Sequence, residues 1–318
     1  HVKSIAQGVI VLHHLSAEYG AERRRLRVIK YRGTEFRGGY HDYLIRKGGL
    51  VVFPRLIAAE HRQDHSARKM PSDVKELDDL LGGGVEEGTS TLIVGGAGTG
   101  KSTISAQFCV AAAKRGQKSI IFMFDESPIT LYSRCRGLDI EIERQVEAGL
   151  ITIVQVDPAE LSPGELAFMI REAVERDGVK IVVVDSLNGY LNAMPEERFL
   201  TIQLHELLMY LSQKGVASLL VGAHHGIIGD KMQAPVDASY LADAVILLRY
   251  FEAKGEVCQA ISVVKKRGGL HERTIREFSM NDGRLRVGDP LRHFRGVLTG
   301  VPVYEGSSEP LMGTERRK

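Results

Sequence analysis

A glycine-rich segment between an apolar run and a helical pattern is the feature that most constrains this chain. Residues 95–102 read Gly-Gly-Ala-Gly-Thr-Gly-Lys-Ser and match the spacing G-x-x-x-x-G-K-[ST]. The apolar residues 91–94 before this segment predict a buried strand, and the spacing of residues 103–114 after it predicts a helix. A strand, a glycine-rich turn and a helix in this order are typical of a loop that binds phosphate groups.

Each part of the loop has a predicted role toward a nucleotide. Backbone N–H groups would close around the phosphates at the positive end of the following helix. Lys101 would reach the β and γ phosphates, and the Ser102 hydroxyl would ligate Mg²⁺. The predicted nucleotide-binding residues are Gly96, Ala97, Gly98, Thr99, Gly100, Lys101, Ser102 and Thr103. The alternative is a glycine-rich turn that binds nothing, and it leaves Lys101 unexplained.

Composition excludes some classes of protein and sets the scale of the fold. A chain of 318 residues has room for one large domain or two smaller ones, and 43% hydrophobic residues suffice for a sizeable core. A net charge of +2 gives no electrostatic argument for nucleic acid. The three cysteines are far apart without metal or redox spacing, which favours a reducing cytoplasm. No apolar run approaches the roughly 20 residues of a membrane span, and no signal peptide is recognisable.

The chain contains an internal repeat of long period. The matched segments are 9–12 with 245–248, 30–33 with 265–268, and 41–43 with 276–278. The first pair is offset by 236 residues and the second by 235, so the register holds within one residue. Such a period indicates duplicated domains. Because only the second copy follows a phosphate-binding loop, we expect residues 1–55 to be the C-terminal remnant of a preceding domain of the same kind. Chance similarity of two β-hairpins is the alternative.

The remaining pattern predicts an α/β fold. Mixed charges with little periodicity mark residues 56–73 as a linker. Residues 74–302 alternate between strand and helix and then change to adjacent strands, which predicts a mostly parallel sheet with a C-terminal β-hairpin extension. The predicted strands are 91–94, 119–124, 151–156, 180–184, 218–222, 244–251 and 259–265. The polar residues 303–318 predict a flexible tail or a docking segment.

Two helices between these strands carry recognisable start signals. Ser162-Pro163-Gly164-Glu165 is a capping box with proline at the first helical position. Pro195 predicts the start of a second helix. We expect Phe199, Ile202, Leu207 and Leu211 of this second helix to face inward.

Carboxylates follow two of the predicted strands. Asp185 ends an apolar strand, where it would hold the Mg²⁺ shell, and Ser186 is expected to orient it. Asp125 and Glu126 end another strand, and Glu126 is suited to orient or deprotonate a water molecule for phosphate hydrolysis. The alternatives are a carboxylate that only starts a turn and a solvated acidic turn.

Two cations near the end of the last long strand have two open interpretations. Lys265 and Arg267 alternate to the same face. They are either surface charges or groups that reach a phosphate bound by a neighbouring subunit, which requires a ring or a filament.

Together these residues resemble the RecA-like P-loop ATPases, and most closely the KaiC family of circadian-clock ATPases and autokinases. The segments that carry the resemblance are 77–84, the phosphate-binding loop, 124–127, 184–187, 241–248, 265–268 and 275–278. They span almost all of residues 70–300. The resemblance implies a RecA-like P-loop core, and the members of this family carry two such domains in tandem.

The resemblance also implies an activity and an assembly. It implies ATP and Mg²⁺ as cofactors, a homo-hexamer with nucleotide at the subunit interfaces, and clock or signalling regulators as partners. Lys265 and Arg267 match positions that touch a neighbour's γ-phosphate, so they join Lys101, Asp125 and Glu126 as catalytic residues. Asp125 stands where the family usually has glutamate.

For autophosphorylation, the family's serine and threonine acceptor positions fall on Ser239 and Tyr240. Ser239 is therefore the expected phosphoacceptor of a serine/threonine autokinase that acts as a timing or signalling switch. The alternative is a serine at a strand edge whose hydroxyl is satisfied by the backbone.

Two other functions use the same kind of core. A DNA-dependent motor of the recombinase type needs basic loops, but residues 226–239 contain one Lys, two Asp and no Arg, which argues against nucleic acid. A scaffold that binds nucleotide in order to assemble and hardly turns it over stays open, because Asp125 is one methylene shorter than glutamate.

Overall fold

A four-stranded antiparallel sheet forms the first part of the protein. The computed structural model describes residues 5–16, 20–62, 68–192, 200–223, 238–253, 255–281, 283–298 and 303–304. The first sheet contains, in spatial order, β1 (Gly8–Leu15), β2 (Arg23–Tyr31), β3 (His41–Arg46) and β4 (Gly49–Phe53). A short 3₁₀ helix, Ala58–His61, follows it and packs on the second part of the chain.

The second part is built around a nine-stranded sheet in the described residues. A small antiparallel pair, β5 (Lys69–Met70) with β6 (Val85–Glu86), precedes it, so pairing begins within the segment predicted as linker. The nine strands are β7 (Ser90–Gly95), β8 (Ser119–Met123), β9 (Ile151–Gln155), β10 (Ile181–Asp185), β11 (Ala217–Ala223), β12 (Ala244–Ala253), β13 (Glu256–Lys266), β14 (Ile275–Ser279) and β15 (Arg286–Pro290). Two further short strands, β16 (Phe294–Arg295) and β17 (Val303–Tyr304), pair with each other.

The strand order confirms the predicted α/β class. The sheet runs β15-β14-β13-β12-β7-β11-β10-β8-β9, and the strands from β12 to β9 in this order are parallel, whereas β13, β14 and β15 are antiparallel additions. The predicted hairpin extension is therefore β12 and β13, and two more strands continue it. This is the arrangement expected of a RecA-like P-loop core.

Helices cover both faces of the sheet, so its strands are apolar on both sides. They are α1 (Lys75–Leu80), α2 (Lys101–Lys114), α3 (Pro128–Arg136), α4 (Ile142–Glu147), α5 (Pro163–Glu175), α6 (Leu187–Asn192) and α7 (Leu200–Gln213). One core cluster joins α1, α2, α3 and α4 to the sheet, and a second joins α5 and α7 to its other face. Within the described residues, no helix is long and apolar enough to cross a membrane.

The predicted start of α5 is confirmed, and one prediction for α7 is corrected. The Ser162 side chain accepts a hydrogen bond from the Glu165 N–H at 3.1 Å and caps α5, as the capping box predicts. In α7, Leu207 and Leu211 are buried, but Ile202 is 57% exposed, so its predicted inward orientation is wrong. The helical period places Ile202 outside the stripe formed by Leu200, Leu204, Leu207 and Leu211. Pro195 and Phe199 lie outside the described residues.

The two antiparallel segments of the chain share a register. In the β1–β2 pair, Val9 lies opposite Lys30 and Ile10 lies opposite Val28, which leaves one extra residue on β2. In the β12–β13 pair, Val245 lies opposite Lys265 and Ile246 lies opposite Val263, with the extra residue on β13. A bulge of this kind is a specific local feature, and it occurs here at matched positions of the sequence repeat.

Matched residues line one face in both segments, but in the first sheet this face is covered only in part. The pairs are Ile10 with Ile246, Leu12 with Leu248, Leu26 with Ile261, Val28 with Val263, Tyr43 with Phe278, Leu50 with Leu285 and Val52 with Val287. Every second member belongs to the core cluster under α2. In the first sheet, by contrast, Leu26 and Tyr43 are buried, but Ile10 is 60% exposed and Leu12 is 54% exposed. We name this partly exposed face of the first sheet, defined by the seven first members, the open face.

The other side of the first sheet rests on α5. Asp42 accepts a hydrogen bond from the Gly164 N–H at 2.9 Å, and Arg46 pairs with Glu165 at 3.2 Å. The rings of Phe53 and Phe168 lie 5.5 Å apart. These contacts hold the first sheet against the larger one and leave the open face pointing away from α5, because the two faces of a strand alternate.

Candidate nucleotide site

The predicted phosphate-binding loop joins the carboxyl end of β7 to the start of α2. Gly98 and Gly100 have φ angles of +77° and +96°, which side chains larger than hydrogen rarely adopt. A Cβ atom on Gly100 would come within 2.8 Å of the Phe278 ring, so packing also requires glycine there. The loop is thus shaped by its glycines, as the sequence predicts.

The lysine of the loop is buried and held by the loop itself. Lys101 Nζ donates a hydrogen bond to the Gly96 carbonyl at 2.7 Å, and Thr99 Oγ1 donates to the same carbonyl at 2.9 Å. Burial lowers the pKa of Lys101, and the nearby Asp185 charge opposes that change. A buried ammonium group with few partners is suited to receive an anionic ligand, because ligand charge replaces lost hydration.

Ser102 and Asp185, the predicted Mg²⁺ ligands, lie next to each other. Burial raises the pKa of Asp185 to about 6, and a hydrogen bond from the Ser102 side chain opposes this shift. Both groups offer oxygen atoms, which Mg²⁺ prefers, and the ion usually keeps one or two protein ligands together with water and substrate phosphates. In the part of the chain that the structure describes, no three His, Cys, Asp or Glu residues form a cluster that could hold a metal without such phosphates. The donor set therefore fits Mg²⁺ bound together with a nucleotide.

The other two carboxylates lie at the same edge of the sheet. Met123 of β8 pairs with Asp185 of β10, so Asp125 and Glu126 follow β8 level with the end of β10. Ser186 Oγ donates a hydrogen bond to Asp125, so the expectation that Ser186 orients Asp185 is corrected. The loop after β8 brings Asp125 within reach of this hydroxyl.

Glu126 has a partner that the sequence analysis missed. Arg134 Nη1 donates to Glu126 Oε2 at 3.0 Å, and Arg134 Nη2 donates to Glu126 Oε1 at 2.5 Å. Ser127 caps α3 by accepting the Thr130 N–H, which places Arg134 about two helical turns below Glu126. A Ser-Pro helix start followed by an arginine seven residues after the serine was the available signal.

Lys265 and Arg267 lie at the other end of the strands, away from the carboxyl ends of the parallel strands. Ala244 pairs with Lys266 on one side and with Thr91 on the other, so the end of β13 is level with the start of β7. The phosphate-binding loop follows Gly95, about 13 Å further along β7 at the usual rise per residue. The structure therefore does not bring these two cations to the phosphate-binding loop of the same chain.

These two cations bind the turn that carries the predicted phosphoacceptor. Lys265 Nζ donates to the carbonyls of Ser239 and Ala242 at 2.7 and 2.8 Å, and Arg267 Nη2 donates to the Tyr240 carbonyl at 2.7 Å. Lys266 points the other way and pairs with Glu86 at 2.9 Å. Lys265 and Arg267 thus share one face, beside an exposed Ser239. Of the candidate DNA-binding loop, residues 226–239, the part from 226 to 237 lies outside the described residues.

Comparisons with known proteins place the chain in one family. A sequence model described as ATPase: KaiC matches residues 70–292. The chain is 28% identical over 306 residues to the circadian clock protein KaiC3 of a Synechocystis strain, covering 96% of this chain and 60% of the relative. It is 26% identical over 299 residues to the circadian clock oscillator protein KaiC of Synechococcus elongatus, covering 94% of this chain and 57% of the relative. The chain spans about three fifths of the length of these relatives. The matched range contains the phosphate-binding loop and every other candidate residue described above, and on this basis the chain belongs to the KaiC ATPase family.

Proposed function

We propose that the protein binds Mg²⁺-ATP at the loop formed by residues 95–102 and hydrolyses it. The observation that carries this proposal is the adjacency of Ser102 and Asp185 beside the buried Lys101, at the carboxyl edge of a parallel sheet. Ligands of open α/β sheets bind at this edge. The loop amides and Lys101 would hold the phosphates, and Ser102 with Asp185 would hold the ion.

The bound ion supplies charge neutralisation on the phosphate oxygens during hydrolysis. The remaining work falls to residues of the chain. Glu126 is the residue proposed to orient the attacking water and to accept its proton, and Asp125 is the second carboxylate beside it. Lys101 stabilises the charge that develops on the phosphate oxygens.

We propose further that hydrolysis takes place between subunits of a homo-hexamer. Lys265 and Arg267 lie at the edge opposite the phosphate-binding loop of their own chain, so a nucleotide that they touch belongs to another subunit. Two cations at the γ-phosphate of a neighbour would stabilise the transition state in trans, as arginine fingers do. Native mass spectrometry with and without ATP tests this assembly, and a protein that stays monomeric with bound ATP contradicts it.

Autophosphorylation at Ser239 is the finer part of the proposal. Ser239 is exposed and lies at the same edge as Lys265, so its hydroxyl also faces a neighbour's nucleotide in such a ring. A phosphate on Ser239 would add close to two negative charges beside Lys265 and Arg267 and change the contacts of the turn. This change is how the protein would act as a signalling or timing switch and be read by clock or signalling regulators.

The deciding experiment uses Mg²⁺ and γ-labelled ATP and measures free phosphate and protein-bound phosphate in one reaction. Protein label that requires both Lys101 and Ser239, shown with Lys101→Ala and Ser239→Ala, supports the autokinase. Free phosphate without protein label leaves an ATPase and contradicts a phosphoacceptor at Ser239. The absence of both contradicts hydrolysis and favours a nucleotide-binding scaffold.

We also propose a division of the chain into domains. Residues 1–55 are the C-terminal part of a first ATPase domain, 56–73 form a linker, and 74–302 form a second and complete ATPase domain. The predicted flexible tail 303–318 is corrected at its start, because Val303–Tyr304 pair with Phe294–Arg295, and residues 305–318 lie outside the described residues. The matched bulges and the seven matched residues of the open face support this division. In the second copy the equivalent residues pack under the helix that follows the phosphate-binding loop, so the open face would fit a second core of that kind.

A further inference from the structure

The ion pair between Glu126 and Arg134 has the geometry of a clamp on the proposed base. Both guanidinium nitrogens bind, one to each carboxylate oxygen, at 3.0 and 2.5 Å. Bidentate pairs of this kind fix the orientation of a carboxylate plane as well as its position. The Arg134 side chain is 31% exposed and the Glu126 side chain is 23% exposed, so solvent screens the pair only in part.

Arg134 makes no other described hydrogen bond from its guanidinium group. Its Nε is buried without a hydrogen-bond partner among the described residues, although a buried N–H group normally finds one. Arg136 on the same helix differs, because it is 70% exposed and pairs with Glu143 on α4. The helix thus carries one arginine committed to the site and one at the surface.

The charges of the site explain why Glu126 needs a cation. Glu126 follows β8 at the end of the sheet where β10 finishes in Asp185, because Met123 pairs with Asp185, and Asp125 directly precedes Glu126 in the chain. Two neighbouring carboxylates repel each other, and the repulsion would turn Glu126 away from the site. A carboxylate has about four lone-pair positions, so a bidentate arginine leaves one on each oxygen for a water molecule.

We propose that Arg134 is a positioning residue that holds the Glu126 carboxylate in the orientation used for hydrolysis. The step is the attack of water on the γ-phosphorus, in which a new phosphorus–oxygen bond forms and the bond to the ADP oxygen breaks with its electron pair leaving on ADP. One proton of the water passes to Glu126. Arg134 does not touch the reacting atoms and acts through Glu126. This inference rests on the proposed ATP hydrolysis.

The test compares Arg134→Met, Arg134→Lys and the control Arg136→Met in the full chain, with kcat, KM, ATP affinity and the thermal unfolding midpoint measured for each. We expect Arg134→Met to lower kcat about tenfold or more, because a misplaced base loses most of its contribution, with KM and ATP affinity within about twofold of the unmodified protein. Arg134→Lys keeps one charged contact, so its kcat should lie between the kcat of Arg134→Met and that of the unmodified protein. Arg136→Met should match the unmodified protein.

A second comparison separates positioning from a purely structural role. Glu126→Gln alone and Glu126→Gln with Arg134→Met should have the same kcat, because Arg134 has no carboxylate left to orient. The proposal is overturned if Arg134→Met lowers kcat by the same factor in the Glu126→Gln protein as in the unmodified protein. It is also overturned if the kcat of Arg134→Met equals or exceeds that of the unmodified protein. If the unmodified protein binds ATP without turnover, the proposed hydrolysis fails first and this inference fails with it. Turnover that is indifferent to Arg134 overturns this inference alone.

Discussion

Lys265 donates a hydrogen bond to the carbonyl of Ser239 at 2.7 Å, and this contact joins a proposed catalytic cation to the proposed phosphoacceptor. Arg267 binds the next carbonyl, that of Tyr240, at the same distance. Both contacts lie at the sheet edge away from the phosphate-binding loop of the same chain. A shift of either cation toward a neighbour's phosphate would therefore also alter the turn that carries Ser239.

Mixed assemblies should show whether these cations act between subunits. Lys101→Ala removes the phosphate contact but keeps Arg267, whereas Arg267→Met keeps the phosphate contact but loses the cation. Each variant alone should lose about a hundredfold or more in turnover, because a finger arginine contributes strongly to the transition state. A mixture of the two should recover part of the rate, measured as released phosphate. The matched control mixes Lys101→Ala with a Lys101→Ala/Arg267→Met double variant, and the absence of any recovery in the first mixture contradicts action in trans.

Lys101 should matter for nucleotide binding and little for the stability of the free protein. Its ammonium group is buried against the Gly96 carbonyl, and burial lowers its pKa, so the free fold gains little from its charge. ATP at about 100 times its Kd stabilises a protein by about 2.7 kcal/mol, and Lys101→Ala should lose most of this increment. Thermal unfolding with and without Mg²⁺-ATP measures it. Lys114→Ala, at the far end of the same helix, serves as the control, and an equal loss there argues against a specific phosphate contact.

The two copies of the antiparallel segment should respond differently to the same substitution. Ile246 is fully buried under α2, so Ile246→Ala should cost about 2–5 kcal/mol of unfolding free energy. Ile10 occupies the matched position but is 60% exposed, so Ile10→Ala should cost less than about 1 kcal/mol in this chain. Denaturant unfolding measures both.

Hydrogen exchange should also be faster in residues 1–55 than in the larger sheet, and equal protection contradicts the domain division.

His61 should make stability depend on pH. Burial lowers its pKa below the ordinary 6.5, and the partly opposing charge of Glu175 does not cancel this effect. Because the unfolded chain takes up the proton first, the contribution of His61 is present above about pH 6.5 and is lost as the pH falls through the lower folded value. His61→Phe keeps a ring against Tyr210, whose ring centroid lies 5.0 Å away, and removes the titration. The unfolding midpoint of the unmodified protein should therefore fall more between pH 7.5 and 5.5 than that of His61→Phe, and parallel curves contradict this.

Local sequence patterns predicted most of the strands and one helix start in the second part of the chain. The parallel strands β7 to β12 begin and end within about two residues of their predicted bounds, because apolar runs and glycines signal them directly. The capping box at Ser162 and the hairpin of β12 and β13 were predicted for the same reason. Ile202 was not, because an apolar residue in a helical pattern does not reveal by itself which stripe the fold buries.

The sequence by itself determined the phosphate-binding loop, the α/β class and the long repeat, since each depends on residues close together or on direct similarity between segments. Only the tertiary structure decided which edge of the sheet each charged group occupies. Lys265 and Arg267 are separated from Lys101 by the length of β7. Glu126 pairs with Arg134, and the Ser186 hydroxyl donates its hydrogen bond to Asp125. Strand order and helix placement set these relations, because they depend on packing between segments distant in the chain, which no local pattern records.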